Sequence, residues 1–354
     1  MTDAATSFAG SGPMRAGQEI DSGAVDAWLR ANVDGYAGPL TVEQFNGGQS
    51  NPTYRLRTPG RDYVLRRKPA GTLLKGAHAI EREYRVMSAL AQTGFPVAKP
   101  YGLCEDERVI GTPFFVMEMV EGRIFWTPAL PDLGAADRAA YFDAMNATLA
   151  RLHSFDPAAL GLADFGRSDN YLARQIARWS QQYRDDDLAG ALPEMERLVE
   201  WLPAHLPPGD ESSLVHGDYR ADNLVFAAQA PTVLAVLDWE LSTLGHPLAD
   251  FTYHLMMYRL PSHILGGLVG SDLATLGIPS EADYVAAYCR RTSRARIDQL
   301  DWYLAFNMFR FAAIIHGIKG RMARGTAASP HAASLVAILP ELAAIAWAQA
   351  ERQS

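Results

Sequence analysis

Three polar side chains in the second half of the sequence stand at spacings that suit one kind of chemistry. Asp218 follows Leu214-Val215 in the segment LVHGD, where a strand gives way to a loop. Asn223 comes five positions later, and its amide oxygen suits a hard cation. Asp238 comes twenty positions after Asp218, at the end of the apolar run VLAVL. A carboxylate there is poorly placed for packing but well placed to hold magnesium at a strand end. Transfer of a phosphoryl group from ATP needs little covalent help from a protein. It needs a carboxylate to orient and deprotonate the acceptor hydroxyl, oxygen ligands for magnesium, and a cation on the phosphates. None of the three residues carries this reading alone. With NLVF and VLAVL forming a short hairpin between them, they carry it together.

The elements that must position this trio can be read from the apolar pattern. Residues 1–20 are rich in Gly, Ala, Ser and Thr and are expected to be disordered. GAVDAWLRANV fits a short helix with Val25, Trp28, Leu29 and Val33 near helical spacing. TVEQF, PTYRLRT and DYVLRR then read as short strands, separated by turn signals at Asn46-Gly47-Gly48 and Pro59-Gly60. A helix is expected from His78 to Gln92, ended by Gly94 and Pro96, and VIGTPFFVMEMV reads as a strand pair. Helical patterns follow at 136–155, 171–184, 192–202, 281–296 and 299–321. A strand-like island, SSLVHGD, NLVFAA and TVLAVLDWE, interrupts them. The predicted architecture is α+β. Residues 21–120 form a small lobe with an antiparallel sheet, 118–122 a hinge, and 123–354 a larger, mainly helical lobe carrying the candidate catalytic loop.

Composition narrows the classes further. A chain of 354 residues is long enough for two apolar cores. Its net charge of −8 and pI of about 5.6 provide no global basic field for nucleic acid or anionic lipid. The local cations Arg66, Arg67 and Lys68 could still hold an anionic ligand. Two distant cysteines, Cys104 and Cys289, make neither a disulfide framework nor a metal motif and read as buried thiols. No secretory pattern opens the chain, and the apolar stretch near its end is interrupted by Pro340 and Glu341. The expectation is a cytoplasmic protein without membrane contact.

HGDYRADN followed by LDWE resembles the aminoglycoside phosphotransferase and choline kinase family, relatives of the protein kinases. The likeness runs from about residue 40 to the end. It implies a protein-kinase-like two-lobe fold, Asp218 as catalytic base, and Asn223 and Asp238 as magnesium ligands. It also implies ATP or GTP with Mg2+ as cofactors and a small hydroxylated acceptor as partner. YVLRRKP resembles the phosphate-binding third strand, where the family usually has lysine. On an alternating strand Val64, Arg66 and Lys68 share a face; Arg66 aligns best with the lysine, and the role stays open between Arg66 and Lys68. IEREYRVMSAL resembles the helix bearing the partner glutamate, with Glu83 preferred over Glu81. GGQSN, with Gly48 and Ser50, resembles the nucleotide-positioning loop. FVMEMVEG resembles the hinge, where backbone groups of Glu118 and Val120 would meet adenine beside Met117. RRKP before AHAIEREYRV, and GHPLAD after DWE, look closest to the kinase-like domains fused to animal acyl-CoA dehydrogenases. That subgroup implies a hydroxyacyl-CoA or hydroxy acid acceptor. The alternatives are a nucleotide-binding pseudokinase, motivated by Arg66, and an aminoglycoside or choline-type kinase. Protein-kinase activity is disfavoured because no A-P-E segment follows Asp238.

Other polar residues have structural readings. His216 is expected to bond loop backbone, and Asp250 to cap a helix or tie down the catalytic loop. His246 and His316 lack partners at metal-ligand spacing. Asp185, Asp186 and Asp187 read as a solvated helix end, and Trp302 and Tyr303 as core.

Overall fold

Alternation along Tyr63–Arg67 (β4) sets the plan of the N-terminal sheet, because all five of its residues are buried and its two faces are covered by different helices. The computed structural model describes residues 10–46, 51–69, 79–325 and 330–353. It divides into two compact units, Met1–Trp126 with Asn223–Ser242, and Thr127–Asp222 with Thr243–Ser354.

In the first unit, β4 lies within a six-stranded sheet of order β1-β2-β3-β4-β6-β5. The other strands are Ser11–Gly12 (β1), Thr41–Phe45 (β2), Thr53–Arg57 (β3), Pro100–Cys104 (β5) and Phe114–Glu118 (β6), and each neighbouring pair is antiparallel. Tyr63 and Leu65 join Tyr54, Leu56, Phe114 and Val116 in a core closed by Val25 and Leu29 of Ser22–Asn32 (α1). Asp21 starts that helix by accepting the backbone N–H of Gly23 and Ala24 at 2.8 and 3.1 Å. On the opposite face Arg66 meets Ile80–Ala91 (α2). The hairpin Leu224–Phe226 (β8) with Val233–Val236 (β9) completes the unit. It was expected among the helical residues, yet its contacts group it here. Val236 bridges Val97, Phe226 bridges Arg123, and Trp239 packs edge-on against Phe95.

The second unit is mainly helical: Ala135–His153 (α3), Tyr171–Arg184 (α4), Pro193–Ala204 (α5), Pro247–Leu255 (α6), Leu273–Leu276 (α7), Glu281–Arg291 (α8), Leu300–Ala323 (α9), Pro330–Ala337 (α10) and Leu339–Glu351 (α11). Helix α9 is apolar around most of its circumference and is correspondingly buried. Trp302 stacks on Phe306, and its indole N–H donates to the Leu202 carbonyl at 3.2 Å. Among the described residues no helix is long and apolar enough to cross a membrane. Ser213–Val215 (β7) pairs with Thr243–Gly245 (β10), a strand not anticipated.

Three further expectations need correction. Residues 109–122 do not hold a strand pair; they contribute β6 alone, which pairs with β4 on one side and β5 on the other. Pro100, Gly102 and a register shift hid that strand, features an edge position tolerates. Gly102 is required there, since a Cβ would lie 2.9 Å from the Trp28 ring. Part of the N-terminal segment is paired rather than frayed, with Ser11 opposite Phe45 and Gly12 opposite Gln44; residues 1–9 lie outside the described residues. Asp186 is not solvated: its side chain is 9% exposed and takes two hydrogen bonds from Arg324 at 2.9 and 2.8 Å.

Candidate active site

In the first unit the site is organised around one guanidinium. Arg66 projects from β4 between three carboxylates. Its Nε lies 3.0 Å from Glu83 Oε2, and its terminal nitrogen lies 2.8 Å from Asp238 Oδ1 and 3.4 Å from Glu240 Oε2. Glu83, on the first turn of α2, is almost fully buried and also accepts the Asn51 amide at 3.0 Å. Burial, with Asp238 and Glu240 adding to it, pushes Glu83 up to about 8 against the pull of Arg66. Desolvation opposes the charge on Arg66, but Asp238, Glu83 and Glu240 overcome it and keep the guanidinium protonated. Lys68 makes a separate and more exposed pair, 2.9 Å from Glu81. The two candidate cations and two candidate glutamates therefore sort into Arg66 with Glu83 and Lys68 with Glu81.

The β8–β9 hairpin explains why Asn223 and Asp238 fall together. Leu224 pairs with Val236, and the Leu237 N–H donates to the Asn223 carbonyl at 2.8 Å. Both residues thus stand at the same end of the hairpin. Asp238 has φ of 64°, a left-handed conformation uncommon outside glycine and a mark of strain at a working position. A carboxylate and an amide are the hard oxygen donors magnesium accepts. Three carboxylates around one guanidinium also leave an excess of negative charge that a divalent cation would offset. Among the described residues no group of three or more His, Cys, Asp or Glu could hold a metal unaided. The donor set therefore fits magnesium that completes its shell with oxygens from outside the chain, as nucleotide phosphates provide.

In the second unit the segment His216-Gly217-Asp218 is gripped through its backbone. Asp250, on α6, accepts the N–H of His216 at 2.7 Å and of Gly217 at 2.8 Å. His153 of α3 lies 3.1 Å from Asp250, and Tyr288 of α8 lies 2.7 Å from His153. Burial works to raise the Asp250 carboxyl, but His153 and His216 hold it below the ordinary carboxylate range. His216 turns its Nδ1 to the Asp218 N–H at 3.2 Å. The Asp218 carboxylate is partly buried and accepts the Tyr253 hydroxyl at 2.6 Å. Burial raises its pKa, opposed by Arg220 and by the Tyr253 hydroxyl. Arg220 itself chelates Asp222.

The remaining candidates divide. Gly48 and Ser50 lie outside the described residues. Met117 and Glu118 end β6, and Val120 follows it half-buried. The Glu118 N–H donates to the Lys99 carbonyl at 2.8 Å, so a nucleotide contact there would use the Glu118 carbonyl. His246 caps α6, and burial pushes it down to about 4; His316 lies 2.8 Å from the Gly190 carbonyl. Sequence reasoning missed Asn51, Glu240, Tyr253 and Arg310 as members of these networks. Asn51 and Glu240 carried a signal, since they lie within GGQSN and LDWE, whereas Tyr253 and Arg310 carried none.

Known proteins sharpen this geometry. The profile of the phosphotransferase enzyme family matches residues 41–300. A crystal structure of a candidate aminoglycoside phosphotransferase from Ralstonia eutropha JMP134 is 49% identical, with a TM-score of 0.87 over 94% of this chain and 99% of that one. Mouse acyl-CoA dehydrogenase family member 10 is 45% identical over 338 residues, which is 95% of this chain but 32% of that protein. The human family member 11 is 41% identical over 88% of this chain and 40% of its own length. The chain thus spans about a third to two fifths of these relatives. Spectinomycin phosphotransferase, solved with ADP and spectinomycin, shares the fold at a TM-score of 0.62 and 13% identity, covering 94% of this chain and 99% of that one.

Proposed function

The chain belongs to the phosphotransferase enzyme family, whose members are small-molecule kinases, and on that footing we propose an ATP- and magnesium-dependent kinase with Asp218 as base. The acceptor is a hydroxyl of a small molecule, a hydroxyacyl-CoA or hydroxy acid. The observation that carries the reading is the β8–β9 register, which sets Asn223 beside Asp238 and leaves carboxylate in excess around Arg66.

In this mechanism Asp218 accepts the proton of the acceptor hydroxyl. The hydroxyl oxygen bonds to the γ-phosphorus as the bond from that phosphorus to the bridging oxygen breaks, releasing ADP. Arg66 supplies positive charge to the phosphates, and Glu83 holds Arg66 in place. Asn223 and Asp238 would hold magnesium, which when bound would offset phosphate charge. The carbonyl of Glu118, with Met117 and Val120 beside it, receives the base of the nucleotide. Asp250 and Arg310 keep the backbone carrying Asp218 from moving.

The acceptor class rests on the acyl-CoA dehydrogenase relatives. It is tested by ATP consumption against 4-hydroxyacyl-CoAs, free hydroxy acids, choline and a panel of aminoglycosides. Turnover is expected with the first two classes; turnover of aminoglycosides or choline alone would sink that assignment. A second reading, a nucleotide-binding protein with little turnover, draws on Arg66 lying 2.8 Å from Asp238. An arginine fork is bulkier than a lysine ammonium and binds in a plane. Magnesium-dependent ATP binding without turnover on any acceptor would favour it.

A further inference from the structure

We propose that Tyr253 is a positioning residue that orients the Asp218 carboxylate and sets its basicity. This deepens the reading of Asp218 as base and rests on it. Tyr253 lies on α6 three residues after Asp250, so the two share one helix face. Asp250 holds the backbone N–H groups of His216 and Gly217, while the Tyr253 hydroxyl donates to Asp218 Oδ1 at 2.6 Å. One helix therefore fixes both the main chain and the side chain of the base.

A second element closes the bracket. Arg310 on α9 donates to the Gly217 carbonyl at 2.9 Å, and its guanidinium lies 5.3 Å from the centre of the Tyr253 ring. The phenol ring is thus clamped between a cation and the carboxylate it addresses, and it is 7% exposed. Burial raises the Tyr253 pKa and Asp218 adds to it, so the phenol stays protonated and acts as donor. The titratable and charged groups that face Asp218 are Arg220, Asp222 and His216 on its own loop, Tyr253 on α6, and Arg310 on α9 through the tyrosine. Of this set, Tyr253 donates a side-chain hydrogen bond to Asp218 Oδ1. A hydrogen bond to the ionised form of an acid favours that form, so this donor lowers the basicity that burial raises.

The experiment follows the Asp218 carboxyl by carbon-13 NMR of protein labelled at aspartate Cγ, with Asp218→Asn assigning the signal. In Tyr253→Phe, which removes one oxygen from a buried ring, the Asp218 pKa is expected to rise by about one unit with the melting temperature near wild type. In Tyr253→3-fluorotyrosine, a stronger donor of the same shape, it is expected to fall. An Asp218 titration that moves in neither variant overturns the inference. Because this readout needs no acceptor and no turnover, its failure is distinct from failure of the base assignment, which retained turnover in Asp218→Asn would show.

Discussion

Around Arg66, three carboxylates face one guanidinium and are fixed by ion pairs between side chains. Around Asp218, the carboxylate is placed by its main chain, held by Asp250 on one side and Arg310 on the other. The first arrangement is short of positive charge and can accept a cation with little rebuilding. The second is closed by polar side chains from buried helices, Asp250 accepting and Arg310 donating, and resists displacement. Phosphoryl transfer asks for both, a place where charge accumulates and a place where geometry is fixed.

Breaking the second region at its chemical centre has the largest expected effect. Asp218→Asn keeps the shape and removes the base, so turnover should fall by about 1,000-fold while nucleotide titrations stay close to wild type. Asp250→Ala attacks the scaffold. It strands two backbone N–H groups and His153, which should lower unfolding free energy by about 3 kcal/mol in urea titrations. Arg66→Met tests the first region from the opposite direction. With its cation gone, the cluster of Glu83, Asp238 and Glu240 should weaken nucleotide binding and lower the melting temperature. Added magnesium should then restore more stability than it gives wild type.

The two aspartates of the second region should respond to acid at different pH, one above and one below the ordinary carboxylate value. Asp218 is raised, so turnover should decline as pH falls through a value above the ordinary carboxylate pKa of about 3.9. Asp250 is depressed, so its stabilisation is present above that ordinary value and is lost only as pH falls below it. A pH–rate profile and melts at matched pH separate the two; a common midpoint would contradict the comparison. The smallest effect belongs to Lys68→Met, which removes an exposed pair with Glu81. It should cost about 0.5 kcal/mol and leave nucleotide affinity almost unchanged.

Much of this was legible in the sequence wherever local pattern and final contact coincide. The alternation of YVLRR put Arg66 on the face that meets Glu83, and the spacing of NLVF and VLAVL gave the hairpin that joins Asn223 to Asp238. What escaped reading depends on contacts distant in sequence. Tyr253 meets Asp218 from 35 positions away, and Arg310 meets Gly217 from 93. Neither residue differs by type or neighbours from an ordinary core aromatic or surface arginine. Strand β5 failed for a different reason: its Pro100 and Gly102 are loop signals that an edge strand against the Trp28 ring accommodates. Asp186 shows the converse, a charge run whose middle member is drawn inward by Arg324.

Arg66 also decides which reagents the protein can meet. A guanidinium keeps its proton at any workable pH and offers no nucleophilic lone pair. Acyl-phosphate nucleotide probes, which tag kinases by acylating a lysine amine beside the phosphates, therefore find no amine at position 66. The neighbouring amine, Lys68, is drawn to Glu81. Labelling built on that chemistry would therefore say nothing about position 66.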